Sequence, residues 1–280
     1  VRTGNVRIAS PNAVVNAFYY RCLECLSFLA GEIGKREEQS RYADETVKFK
    51  KLYCDTFVSP KTGLVFDAVG SAHASLHANM FALDFGLIPK EQERTVLKYI
   101  KKKGMACSVY GAQFLLDSLC SYNEDEYALK LMLSKKRKSW YEMLYRTKSK
   151  LTTEAWNERI KPNMDWNHAW GTAPVNIIAR NIVGVRPYAP GGAELLFEPK
   201  FGSLKECMAK VPFRMGGINI LYKRNGNTCS LSFTSAVPVH FCIPKDVVSV
   251  SADGEMFSMD EREIVLPAGN HTFLMAVTLN

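Results

Sequence analysis

The chain is 280 residues long, 47% hydrophobic and 23% charged, with a formal net charge of +8. These values place it among soluble globular proteins of one large or two ordinary domains. No run approaches the 18 apolar residues that a membrane span needs, so no membrane partner is expected.

The segment after Val1 has no apolar core of signal-peptide length. A start at Val1 rather than methionine reads as a processed, truncated or partial chain, and leaves the compartment open between cytoplasm and periplasm. The positive charge is interleaved with acids along amphipathic stretches. Even the dense run Lys135-Lys136-Arg137-Lys138 reads as a solvated helix face, so nucleic acid is not expected as a partner.

From Asn12, the apolar residues Val14, Val15, Phe18, Tyr19, Cys22, Leu23, Leu26, Leu29, Ala30 and Ile33 keep a helical period until Gly34. A second helix is expected over 36 to 57. The turn Ser59-Pro60-Lys61-Thr62-Gly63 then delivers a short extended piece, Leu64 to Asp67. Further helices are predicted at about 72 to 86, 90 to 103, 109 to 122, 125 to 146 and 167 to 184, joined by short loops. This is a run of antiparallel helical hairpins.

After Arg186-Pro187 the pattern changes. Alternating runs at 194 to 198, 218 to 224, 228 to 234, 237 to 243, 247 to 251, 262 to 266 and 271 to 279 are punctuated by Asn225-Gly226, Asp253-Gly254 and Ala268-Gly269. Such spacing predicts antiparallel strands and tight hairpins. The expected organisation is a helical domain over 1–187 and an antiparallel β-sandwich over 188–280.

Chemistry concentrates between Leu151 and Arg186. Trp156, Trp166 and Trp170, three of the four tryptophans, fall here beside Glu154, Asp165 and His168. Flat apolar rings next to a carboxylate and an imidazole suit a sugar, whose ring stacks while its hydroxyls hydrogen-bond; the same rings also suit a core.

A second group is Asp67, His73 and His77, with the two imidazoles four residues apart and so on one helix face. Ala74 stands where a zinc protease motif has its glutamate, so pocket or core roles are preferred to a metal, and no cofactor is expected. The eight cysteines, including the pair Cys22 and Cys25, read as buried free thiols.

Several motifs in a fixed order carry a resemblance. Ser71-Ala-His-Ala-Ser-Leu-His-Ala-Asn-Met-Phe-Ala-Leu-Asp-Phe-Gly comes first, then Gly104-Met-Ala-Cys-Ser-Val-Tyr-Gly-Ala-Gln-Phe-Leu-Leu, Thr153-Glu-Ala-Trp, Lys161-Pro-Asn-Met-Asp-Trp-Asn-His-Ala-Trp-Gly-Thr-Ala-Pro and Gly184-Val-Arg-Pro. Together they resemble the bacterial α-L-rhamnosidases of glycoside hydrolase family 78.

The resemblance implies an (α/α)6 barrel of six helical hairpins followed by a C-terminal β-domain, and inverting hydrolysis of terminal α-L-rhamnosyl groups from a rhamnose-containing oligosaccharide or glycoside. It assigns Glu154 as general base and His168 and Trp170 as sugar contacts. Trp156, Trp166, Trp140, Asp67 and His73 are further candidates for the pocket wall. Its general acid would lie near Arg2-Thr3-Gly4-Asn5, where Thr3 cannot serve as a carboxylic acid. The alternative is therefore a catalytically deficient carbohydrate-binding relative, or a fragment lacking the general acid.

About seven long helices are legible where six hairpins need twelve. The chain thus reads as the C-terminal part of a larger enzyme, its apolar helix faces covered by missing N-terminal domains or by self-association.

Overall fold

The structure is a computed structural model that describes residues 11–146, 148–252, 254–260 and 262–278. Thr3, and with it the expected general-acid position, lies outside the described residues. The chain divides into two compact units, Val1–Ala173 and Pro174–Asn280.

The first unit is helical. Helix α1 spans Ala13–Glu32 and begins at Asn12, whose side-chain oxygen accepts from the Val14 and Val15 amides at 3.0 and 3.2 Å. Helix α2, Arg36–Phe57, carries Glu37 and Glu38 in its first turn, where the helix dipole favours negative charge. Then come α3 (Leu76–Asp84), α4 (Lys90–Lys103), α5 (Val109–Ser121) and α6 (Asp125–Met132). Helix α1 packs on α2 and α3, α3 on α4 and α5, and α5 on α6.

Helix α3 is the hub, with seven of its nine residues buried. Its one amide at full burial, Asn79, is satisfied on both sides: Nδ2 donates to the Val65 and Ser75 carbonyls, and Oδ1 accepts from the Val65 amide at 2.9 Å. An unmet amide there would cost roughly 1–3 kcal/mol. Phe81, Phe85 and Phe114 form an edge-to-face cluster with Phe18 of α1. Elsewhere α1 turns small residues inward, Ala13, Ala17 and Ala30, and leaves Val15, Phe28, Leu29 and Ile33 more than half exposed.

Four expectations are corrected here. The helix predicted from 72 starts at Leu76, because Ser75 caps it by accepting from the Ala78 amide, so His73 precedes the helix and does not share a face with His77. The helix predicted over 125 to 146 stops at Met132 and resumes only after Ser139, whose hydroxyl accepts from the Glu142 amide; a five-residue π-helical segment, Glu142–Arg146, follows. The basic run Lys135 to Lys138 consequently lies exposed on the intervening loop and not on a helix face. Cys22 and Cys25 are exposed, although Cys107, Cys120 and Cys229 are buried as expected and none of the eight cysteines is in a disulfide.

A helical run continues from 3-10 geometry over Ala169–Thr172 through α7 (Ala173–Ile177) to π geometry over Ile178–Ile182.

The second unit holds two sheets over one core. Strands β1 (Val185–Pro187), β2 (Leu195–Phe197), β6 (Val239–Cys242) and β9 (Glu263–Leu266) form the first, in the order β1-β2-β6-β9. The second has the order β3-β4-β5-β10-β7-β8, from β3 (Glu206–Phe213), β4 (Gly216–Asn225), β5 (Thr228–Ser235), β7 (Val247–Ala252), β8 (Glu255–Met256) and β10 (Gly269–Val277). All pairings among the described residues are antiparallel except β2 with β6.

Phe197 and Phe241 from one sheet meet Phe233 and Phe273 from the other, closing a sandwich core. Strand β3 escaped the sequence reading because Pro212 argues against a strand. It is tolerated because β3 is an edge, where a missing amide costs no ladder bond. At Gly184, with φ of +82°, a Cβ would come within 1.8 Å of the Glu198 carbonyl oxygen, so only glycine lets β1 leave toward β2.

Candidate active site

Residues 151–168 form an irregular clasp in the helical unit, built by hydrogen bonds between its two limbs. The His168 amide donates to the Thr152 carbonyl at 2.7 Å, and the Thr152 hydroxyl donates to the His168 carbonyl at 2.9 Å. Two residues further in, the Glu154 amide donates to the Asp165 carbonyl at 3.0 Å. The bend between the limbs is an Asx turn: Asn157 Oδ1 accepts from the Arg159 and Ile160 amides. Gly171 seals the base, since a Cβ there would lie 2.6 Å from the Thr152 side chain.

The clasp brings Glu154, Lys161, Asp165 and His168 together. Glu154 is half-buried; one carboxylate oxygen pairs with the Lys161 ammonium and the other accepts from the Asp165 amide at 3.1 Å. The Lys161 ammonium, and after it that amide, hold the Glu154 carboxyl below the usual carboxylate range, while Glu154 pushes Lys161 up. At neutral pH Glu154 is therefore an anion with lone pairs to spare for a water.

His168 stands 3.5 Å from an Asp165 carboxylate oxygen through Nδ1, and its Nε2 is 2.8 Å from the Tyr110 hydroxyl. Tyr110 enters from the first turn of α5. Burial, then the Glu154 charge, raises its phenol pKa, so it stays protonated. Its ring meets Trp170 edge-on at 4.0 Å. Trp170 is 64% exposed and Trp166 47%, so these two offer open ring surface.

The other two tryptophans lie beneath. Trp156 is 1% exposed and Trp140 6%, and they cross edge-to-face at 5.0 Å. Their indole N–H groups donate to the Cys107 and Gly171 carbonyls at 2.9 and 2.7 Å. The Trp156 bond ties the clasp to the loop before α5, the Trp140 bond ties the segment ahead of the clasp to Gly171 just after it, and neither ring is open to a ligand.

Asp67 and His73 form a separate pair, 2.5 Å apart, in the loop ahead of α3. Asp67 also accepts from the Ser75 amide at 2.8 Å and fastens that loop, while the His73 side chain is largely exposed. His77 lies within 3.4 Å of the Cβ position of Gly111, next to Tyr110, and burial lowers its pKa. No cluster of three or more His, Cys, Asp or Glu side chains suited to a metal ion occurs among the described residues.

Sequence reading missed Tyr110 and Lys161. Both sit inside motifs that were singled out. Tyr110 follows the helix-capping Ser108 and precedes Gly111, a position from which an aromatic side chain can leave the helix start. Lys161 directly precedes Pro162 at the bend.

Comparison with known proteins follows the same lines. A family model described as the bacterial alpha-L-rhamnosidase 6 hairpin glycosidase domain matches residues 5–182. No curated protein sequence matches. Among solved structures, an alpha-L-rhamnosidase from Dictyoglumus thermophilum superposes with a TM-score of 0.80 at 22% identity, covering 93% of this chain and 31% of that one. The Streptomyces avermitilis alpha-L-rhamnosidase complexed with L-rhamnose gives 0.77 at 17% identity, with 94% and 26% covered. A rhamnosidase from Aspergillus terreus gives 0.71 at 17%, with 92% and 30% covered. The fold is shared from the helical region into the β-sheets, and the chain spans less than a third of the length of each of these relatives.

Proposed function

Because the chain belongs to the bacterial α-L-rhamnosidase six-hairpin glycosidase family, we propose that it carries the general-base side of a site that hydrolyses terminal α-L-rhamnosyl groups with inversion. The observation that supports this reading most directly is the ionised Glu154 carboxylate, half-buried at the centre of the clasp beside His168, Tyr110 and the open ring of Trp170.

In this reading Glu154 takes a proton from a water as that water attacks the anomeric carbon. Lys161 keeps the carboxylate charged, and the Asp165 amide fixes its rotamer. A lowered pKa makes Glu154 a weaker base, so the positioning of the water carries more of the rate. Trp170 and Trp166 stack on the sugar, and His168, held through Asp165 and Tyr110, hydrogen-bonds its hydroxyls. Trp140 and Trp156 support the clasp from the core, and Asp67 with His73 shapes the loop leading to α3. An inverting pair places its second carboxyl roughly 6.5–9.5 Å away to protonate the leaving oxygen. The position at which the resemblance expects that acid, near Thr3, lies outside the described residues.

Release of rhamnose from an aryl α-L-rhamnoside tests the proposal. Glu154→Gln is expected to lower turnover by roughly 10²- to 10⁴-fold, with rhamnose binding by calorimetry retained. The first-formed anomer, followed by NMR, should be inverted. Equal turnover in Glu154→Gln would refute the assignment, and rhamnose binding with no turnover in the unaltered protein would favour a catalytically deficient sugar-binding relative.

A further inference from the structure

A polar cavity lies in the helical unit, lined by Arg137, Glu142, Arg146, Asn157, Glu158 and Arg159, with a volume of about 210 Å³. None of these residues belongs to the group around Glu154. Three arginines from three chain segments line it: the exposed loop before Ser139, the π-helical segment and the bend of the clasp.

The pairing within the cavity is uneven. Glu142 is the one carboxylate substantially shielded from water, and its Oε2 accepts no hydrogen bond. Arg146 stands 3.3 Å from one of its oxygens, and the buried Asn157 side-chain amide donates to the other at 3.3 Å. Arg137 and Arg159 have no carboxylate partner among the described residues. Glu158, Arg137 and Arg159 are all exposed on the lining, so water screens the charge of each. The lining keeps a surplus of one positive charge, with Lys135, Lys136 and Lys138 next to Arg137 in the chain, on a molecule of formal charge +8.

A guanidinium fork is shaped to take two oxygens of one carboxylate or phosphate, and two arginines without a carboxylate partner among the described residues border this one small cavity. Pockets for drug-sized ligands start near 300 Å³, so this one suits a single small anion or one charged sugar residue.

We infer that the cavity between Arg137 and Arg159 binds a small oxyanion, a carboxylate or a phosphate group, independently of the Glu154 site. The measurement is titration calorimetry with inorganic phosphate, with D-glucuronate, and with uncharged D-glucose, on the unaltered chain and on Arg137→Gln, Arg159→Gln and the double variant.

At least one anion should bind, glucose should not, each single variant should weaken binding tenfold or more, and the double variant should abolish it. Binding of phosphate alone assigns a phosphorylated ligand, and binding of glucuronate alone a sugar acid. Both support the site. Failure of both anions to bind, or an affinity within twofold of the original in the double variant, overturns it. Melting curves without anion show whether each variant is folded, and the single variants decide the matter if the double one is not. Because the readout is equilibrium binding, failure here leaves the glycosidase reading untouched, and inactivity of Glu154→Gln leaves this one untouched.

Discussion

Trp156 offers the sharpest test of how the clasp is held. Its ring is 1% exposed, crosses Trp140 at 5.0 Å, and donates to the Cys107 carbonyl at 2.9 Å. Truncating so large a buried ring costs about 3–5 kcal/mol, from lost transfer energy and the cavity left behind. Trp156→Phe keeps most of the ring but leaves the Cys107 carbonyl without its donor, a loss of about 1–3 kcal/mol.

In a unit of this size each kcal/mol moves the melting point by roughly 2–4 °C. Trp156→Ala should therefore melt on the order of 10 °C lower, and Trp156→Phe a few degrees lower. Urea unfolding followed by circular dichroism gives the same ordering as a falling midpoint at constant slope. Trp156→Phe should bind rhamnose as the unaltered chain does. If Trp156→Ala instead unfolds at the original midpoint and loses only sugar affinity, the ring faces the ligand and this reasoning fails.

Three further outcomes follow from the geometry. Tyr110→Phe removes the hydroxyl 2.8 Å from His168 Nε2; a net bond of that kind is worth a factor of roughly two to ten. The loss should appear in rhamnose affinity or kcat/KM, with the melting point unchanged. In Lys161→Gln the chief cause of the depressed Glu154 pKa is gone. The acid limb of the pH profile of kcat/KM should move to higher pH, and an unmoved limb would mean that Glu154 does not govern it. The third concerns His240, held by Glu194 at 2.7 Å and Glu263 at 3.1 Å and stacked on Tyr188, with its pKa raised chiefly by the Glu194 bond. A raised histidine pKa stabilises fully below the ordinary value of 6.5 and loses that contribution as pH climbs through the folded-state value. Melting points compared at about pH 6 and pH 9 should show this loss, and His240→Gln should flatten it.

Helices α1, α2 and α4 were legible because each joins a periodic apolar stripe to a local start or stop signal: Asn12 for α1, Glu37 and Glu38 for α2, Gly104 at the end of α4. The 133–139 break was not, because apolar residues on both sides invited one continuous helix across the polar run Ser134 to Ser139, where Ser139 instead caps a new start. Within the candidate site, residue types were readable and their placement was not. Glu154, Asp165 and His168 meet through pairing across a bend, which has no sequence period. Tyr110 reaches His168 from 58 positions away. Four tryptophans look alike in the sequence, yet two are sunk because their indole N–H groups find backbone carbonyls inside, and two are open.

Strand β10 is the last of the described strands in chain order, yet it lies in the interior of the six-stranded sheet, between β5 and β7. During synthesis, β3-β4-β5 and β7-β8 can each assemble early, but as two separate ribbons with raw edges facing one another. Only when Gly269–Val277 clears the ribosome can that gap be filled, a late and long-range closure of the slow kind. A premature stop codon a dozen codons upstream would thus do more than trim an edge: it would leave two sticky half-sheets, each a template for aggregation.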